Sequence, residues 1–186
     1  MRVPNFVLRP LKQKLMPLSV AEPDEIIGHN ARSRKRDGHP YPVDRPFLLR
    51  WFVIPKNRWC NIYLHCFVRD DEDRALHDHP WFNISCLLIG HYVEVTGVYD
   101  GDGHVIGYRR NMYSQGDLKF RWPGAAHRVE LLKPVGHHRR TRALRKRGLP
   151  CWSLFITGPV VRRWGFQCPT GWISSSEFHN KRGCND

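Results

Sequence analysis

Residues 77–103 read HDHPWFNISCLLIGHYVEVTGVYDGDG. Two apolar or alternating runs, 81–89 and 91–99, are divided by Gly90 and followed by Asp100-Gly-Asp-Gly103, a composition that tips β-hairpins. Two histidines with one residue between them stand just ahead. In an extended chain successive side chains alternate faces, so His77 and His79 share a face about 7 Å apart and Asp78 turns away. The same parity carries Trp81, Asn83 and Ser85. Two imidazoles so placed can converge on one ion.

Working outward, short runs rich in β-branched and aromatic residues recur at 47–54 (FLLRWFVI), 61–68 (NIYLHCFV), 104–110, 117–122, 126–132, 150–157 (PCWSLFIT) and 160–166. Gly, Pro and Asp turns separate them, and no long segment keeps a 3.6-residue period. Such a chain predicts an all-β sandwich or barrel. Residues 1–45 are punctuated by six prolines. They read as an arm or packed extended segment, with at most a short helix around Glu22–Ile27. The expected division is an arm over 1–45, a barrel over 46–178 and a tail over 179–186. Cys86 and Cys151 lie in apolar strands and read as core thiols, and Trp51, Trp122, Trp152 and Trp164 read as core aromatics.

A length of 186 residues suits one domain, and 41% hydrophobic residues with seven Trp exclude global disorder. No stretch approaches the roughly 18 apolar residues of a membrane span, so no membrane partner is expected. The first twenty residues break their apolar stretches with Pro and Lys/Arg, a poor secretory signal. Six cysteines without a CxxC pair read as mostly reduced thiols, so a cytoplasmic location is expected. The net charge is +13, and two segments supply 11 of it. RSRKR at 32–36 includes Arg34, Lys35 and Arg36; KPVGHHRRTRALRKR at 133–147 includes Arg139, Arg140, Arg142, Arg145, Lys146 and Arg147. The rest of the chain nets only +2. These runs read either as solvated insertions or as a nucleic-acid contact that works by counterion release without sequence specificity.

A third histidine, His127, follows Pro123-Gly124 at the start of a later strand, where a barrel could bring it beside the first pair. Three neutral imidazoles suit Fe(II), Zn, Mn, Ni or Cu, and spacing does not choose among them. This arrangement resembles the cupin superfamily. His77, Asp78, His79 and Gly90 match its first motif, with Asn83 where Glu is expected and Asp71 where a leading Gly is expected. Gly116, Pro123, Gly124 and His127 match its second, with one extra residue before Pro123, the second Gly displaced by one, and Leu131 in place of the closing Asn. The run GPVVRRWGFQCPTGW at 158–172 is similar to a signature of small bacterial and phage cupins.

The resemblance covers roughly residues 60–166 and implies a double-stranded β-helix, a jelly-roll barrel with metal inside its mouth and a tendency to form homodimers. It implies one divalent transition metal on His77, His79 and His127, with Fe(II) favoured over Zn, Mn and Ni. Asn83 replaces a ligating carboxylate by a neutral amide, leaving the complex one unit more positive and suited to anionic ligands. Asn83, with Tyr63 and His65 on alternate positions of NIYLHCFV, is the candidate substrate-binding set; a solvated face is the other reading of the Tyr63–His65 pair. The acidic turn RDDEDR at 69–74 reads as solvated or as the source of a carboxylate behind a ligand histidine. Three functions follow: an Fe(II)-dependent oxygenase on a small or nucleic-acid-linked substrate, a non-redox isomerase, epimerase or lyase, or a nucleic-acid-binding module on this scaffold.

Overall fold

The computed structural model describes residues 1–28, 32–34, 46–71, 75–134, 148–169, 171–181 and 183–184. Strands dominate. The N-terminal segment contributes helix α1 (Asn5–Leu15), a 3-10 turn (Met16–Val20), β1 (Glu25–Gly28) and β2 (Arg32–Arg34). Then come β3 (Pro46–Phe52), β4 (Asn61–Phe67), β5 (Leu76–His77), β6 (Asn83–Ile89) and β7 (His91–Tyr99). The second half holds β8 (Val105–Ser114), β9 (Leu118–Arg121), β10 (His127–Leu131), β11 (Cys151–Thr157), β12 (Gly165–Cys168) and β13 (Gly171–Ser174), closed by helix α2 (Ser175–Lys181).

Two antiparallel sheets hold all of them. Sheet I runs β2-β1-β3-β4-β11-β6-β9 and sheet II runs β13-β12-β5-β10-β7-β8. The path between them identifies the architecture. Outward from the β7–β8 hairpin, β6 pairs with β9, β5 with β10 and β4 with β11, while the chain alternates between sheets. One long two-stranded ribbon is thus wound so that successive turns also pair, through β7–β10, β6–β11 and β5–β12. This is a double-stranded β-helix, the expected fold. Gly90 makes the sheet-changing turn between β6 and β7 with φ +87°, and a Cβ there would meet the Pro150 carbonyl at 3.1 Å.

The N-terminal segment departs from expectation, for it forms a helix at 5–15 and a strand at 25–28 rather than a short helix at 22–27. Leu8, Leu11, Leu15 and Leu18 make a stripe that lies on the outside of sheet I against Trp51, Leu64, Cys66, Cys86 and Leu88. Pro10 lies inside this helix. Punctuation by proline hid the periodicity, because the stripe runs straight through it.

The principal apolar core therefore sits outside the barrel wall. A second cluster, Leu87, Tyr92, Val129, Leu131 and Cys151, plugs one end of the space between the sheets. A third joins Phe166 and Cys168 to Phe178 of α2. Cys86 and Cys151 are buried, and burial pushes the Cys66 thiol up to about 12. One pair departs from the reading of reduced thiols: Cys168 and Cys184 form a disulfide, while Cys60, Cys66, Cys86 and Cys151 are free. Trp51 is core, whereas Trp122 is 70% exposed and Trp164 is also exposed, against expectation. Both flank turns, where no second sheet covers them. No described helix is long and apolar enough to cross a membrane.

Candidate metal centre

The inner face of sheet I is polar, and strand register arranges it in three rows. Glu25, Arg50, His65 and Ser153 lie across β1, β3, β4 and β11. Phe52, Tyr63, Phe155, Ser85 and Lys119 form the next row, and Asn61, Thr157, Asn83 and Arg121 the third. Burying so many polar groups is costly unless something engages them.

Sheet II faces these rows with the histidines. His127 at the start of β10 is directly opposite His77 of β5. His79 lies just past β5, and its carbonyl accepts a hydrogen bond from the Gly124 N–H at 3.3 Å, which ties it to the turn that delivers His127. Gly124 has φ +82°, so the Pro123-Gly124 pair is a turn with a left-handed residue, the geometry glycine permits. The three rings lie with centroids 4.8–5.2 Å apart, and a potential ligand nitrogen of each falls within 4.8 Å of the others. The triad expected from sequence is assembled.

Carboxylates stand behind two of the rings. Asp71 Oδ2 is 3.0 Å from His77 Nδ1 and Glu94 Oε1 is 3.0 Å from His127 Nδ1. That leaves Nε2 of both rings for an ion, and His79 Nε2 lies 3.0 Å from His127 Nε2. An ion about 2.1 Å from each would see this pair near a right angle. Burial drives the His79 and His127 imidazoles well below their usual 6.5; His77 and then Arg121 add to this at His79, and Arg121 and then His77 at His127. Neutral imidazole is the ligating form. Donor type, separation and protonation thus all fit a divalent transition metal.

The acidic turn takes its less expected role. Asp71 donates its backbone N–H to the Val129 carbonyl at 2.9 Å, and Asp70 Oδ1 accepts the Leu131 N–H at 2.7 Å. Both bonds pin the turn along β10, beside the triad. Asp78 does turn away: its carboxylate accepts the Gly165 N–H at 2.7 Å, the Trp172 Nε1–H at 2.9 Å and a bond from Arg162.

Glu94 was not among the sequence candidates. It is wholly buried on β7, diagonal to His127 across the strand pair, and it also contacts Arg121 and Lys119. Its signal was a carboxylate on the inward parity of a strand between Val93 and Val95. Arg121 donates to Asn83 Oδ1 at 3.1 Å, so the amide expected at the metal is held on an arginine.

Tyr63 and His65 face inward and are buried, not solvated. Their rings stack at 5.6 Å, and His65 stacks on Phe155 at 4.8 Å, which presents an edge to His79 at 6.2 Å. Arg50 Nε donates to His65 Nε2 at 2.9 Å and Arg50 Nη1 to Glu25 at 2.8 Å. Of the basic candidates, Arg34 lies on β2, which is described for its backbone alone; Lys35, Arg36, Arg139, Arg140, Arg142, Arg145, Lys146 and Arg147 lie outside the described residues.

No family model matches this sequence, and no curated protein matches it. Solved structures that resemble it are cupin-superfamily and other double-stranded β-helix proteins. A Klebsiella pneumoniae protein with a double-stranded β-helix domain is 14% identical over 73% of this chain and 96% of its own, with a TM-score of 0.43. A DMSP lyase from Ruegeria pomeroyi is 14% identical over 75% of this chain and 61% of its own, with a TM-score of 0.43. A cupin-superfamily protein from Desulfitobacterium hafniense is 12% identical over 60% and 77%, with a TM-score of 0.39.

Proposed function

We propose that this chain is a mononuclear metal enzyme in which His77, His79 and His127 hold one divalent transition ion, Fe(II) in preference to Zn, Mn or Ni. The reaction proposed is oxygenation of a small or nucleic-acid-linked substrate. The observation that carries this reading is a set of three imidazoles within 4.8 Å of one another, those of His79 and His127 held neutral by burial, with no carboxylate in the set. When bound, Fe(II) supplies electrons for O2 and a positive centre for a substrate donor atom.

The chain's own residues do the rest. Asp71 and Glu94 place a carboxylate oxygen 3.0 Å behind the Nδ1 atoms of His77 and His127, which favours presenting Nε2 of each ring to the ion. Asn83 occupies the position of a fourth ligand but is held by Arg121, which keeps the ligand set neutral and three-membered. Tyr63, His65 and Phe155 wall the opposite side and exclude bulk water.

The test is metal analysis of untagged protein after anaerobic Fe(II) loading. One ion per chain, lost in His77→Ala, is expected, with O2 consumed in the presence of substrate. Absence of stoichiometric metal overturns the proposal; occupancy by Zn or Ni alone overturns the oxygenase part of it. The buried Tyr63–His65 stack favours a second reading, a metal-dependent lyase or isomerase in which these two side chains move a proton. Turnover without O2 uptake that disappears in His65→Ala would select it.

A further inference from the structure

Among the described residues, setting aside His127 Nδ1 and Glu94 Oε2, which lie against Glu94 and Lys119, several buried polar atoms at this site have no hydrogen-bond partner and each of them can donate. They include His65 Nδ1, Asn83 Nδ2, Trp81 Nε1 and Ser153 Oγ. His65, Asn83 and Ser153 are each no more than 2% exposed. His65, Asn83 and Ser153 stand on the inner face of sheet I, and Trp81 stacks on His79 with centroids 6.1 Å apart.

Their hydrogen-bonding roles are fixed by what holds their other ends. A guanidinium donates and never accepts, so His65 Nε2, which takes the Arg50 N–H, must carry the lone pair. The proton of the neutral ring is therefore on Nδ1. Asn83 offers Oδ1 to Arg121, so its amide nitrogen is the end left over. Indole nitrogen donates only, and a serine hydroxyl is free to donate. Two arginines that face neighbouring side chains thereby aim neutral N–H groups into the interior. Three of the donors connect to the triad: Trp81 stacks on His79, His65 reaches His79 through Phe155, and Asn83 reaches His127 through Arg121 and Glu94.

A lining of donors recognises a group that only accepts. We infer that the interior binds an acidic substrate, a carboxylate or a phosphate, met by His65 and Ser153 from one row of sheet I and by Asn83 and Trp81 from the other end, and that it rejects the carboxamide of the same shape. An amide NH2 turned toward an N–H donor leaves both unpaired, which is the strongest discrimination a buried polar site can make. This deepens the reading of the site as a metal enzyme by naming its substrate class, while the donors themselves do not depend on the ion.

The experiment compares malonate with its neutral diamide, malonamide, by calorimetric titration of the metal-stripped and the Co(II)-loaded protein. The expected result is a preference for malonate of about tenfold or more in both forms, the size of one hydrogen bond to a charged acceptor. Asn83→Asp keeps the shape and the Arg121 contact but replaces the donor by an acceptor, and should abolish the preference in the stripped protein. Ser153→Ala should reduce it. Melting temperatures are read in parallel. Equal affinity for the two probes, or a preference untouched in Asn83→Asp while the melting temperature falls, overturns the inference and leaves these residues a structural role. A preference confined to the Co(II) form also overturns it, since the ion alone would then hold the anion, and the metal reading would stand. A preference in stripped protein that takes up no Co(II) upholds the inference while the metal reading fails. Inorganic phosphate titrated against malonate separates the two oxyanion sources: stronger binding of phosphate assigns the site to a phosphate ester, weaker binding to a carboxylate.

Discussion

Glu94 carries more of the site than its single charge suggests. Its carboxylate faces buried His127 and is the counterion for buried Arg121 and half-buried Lys119. Glu94→Gln preserves the shape and removes the charge. The ring of His127 then loses the carboxylate 3.0 Å behind it, and metal affinity should fall about 10- to 100-fold, measured by chelator competition with Co(II) or Zn(II). Asp71→Asn should lower affinity similarly through His77. The clustering of His77, His79 and His127 was legible in the sequence because it lies in the HDH and PG–H spacings. Their carboxylate partners were not, since Asp71 approaches from a loop and Glu94 from a strand 33 residues before His127.

At the scale of the element, helix α1 is the piece least visible beforehand and most exposed to test. Leu8 is buried in the cluster between α1 and sheet I. Leu8→Ala should cost about 2–5 kcal/mol of stability, measured by denaturant unfolding, with Co(II) affinity unchanged. Loss of metal binding at native-like stability would mean that α1 shapes the site directly. The strands were legible because alternation is a local signal: β3, β4, β6 and β7 match expectation within two residues at each end, while the two-residue β5 (Leu76–His77) was not expected. The final strand was misplaced: residues 160–164 are extended only in composition, and β12 begins at Gly165, where a Cβ would overlap the Ile173 carbonyl of its partner strand. That constraint comes from a neighbouring strand and leaves no local mark except the glycine itself. The Cys168–Cys184 bridge was hidden likewise, as one pair spaced 16 residues apart belongs to no recognisable framework.

For the whole molecule, two global properties follow from where charge lies. His65, His79 and His127 are all held neutral by burial, their folded pKa values below those of the unfolded chain. Below about pH 6.5 the unfolded chain takes up protons that the fold excludes, so stability falls as pH falls and is flat above it. Each of the three should contribute about 1.4 kcal/mol per pH unit in the metal-free protein, measured by denaturant titrations from pH 8 to 5. Saturation with Zn(II) should move the decline to lower pH. The second property is the basicity of 133–147. Exchanging its seven Lys and Arg for Gln takes the net charge from +13 to +6. Elution from immobilised heparin should shift to clearly lower salt, and an unchanged elution point would remove this run from any polyanion contact.

The wound ribbon also sets an order of assembly. Its partners lie at rising separations: Tyr99 with Val105, Asn83 with Arg121 at 38 residues, His77 with His127 at 50 and Asn61 with Thr157 at 96. Each pairing shortens the loop that the next must close, so zipping outward from Asp100–Gly103 is the route with the smallest entropy cost at every step. Weakening that tip should slow refolding in stopped-flow measurements, whereas Leu8→Ala, acting after the ribbon has closed, should chiefly speed unfolding. The histidines meet midway along this path, so a nascent chain brings the three proposed ligands together before its outer wall is sealed, and an ion present during folding would have a template to join.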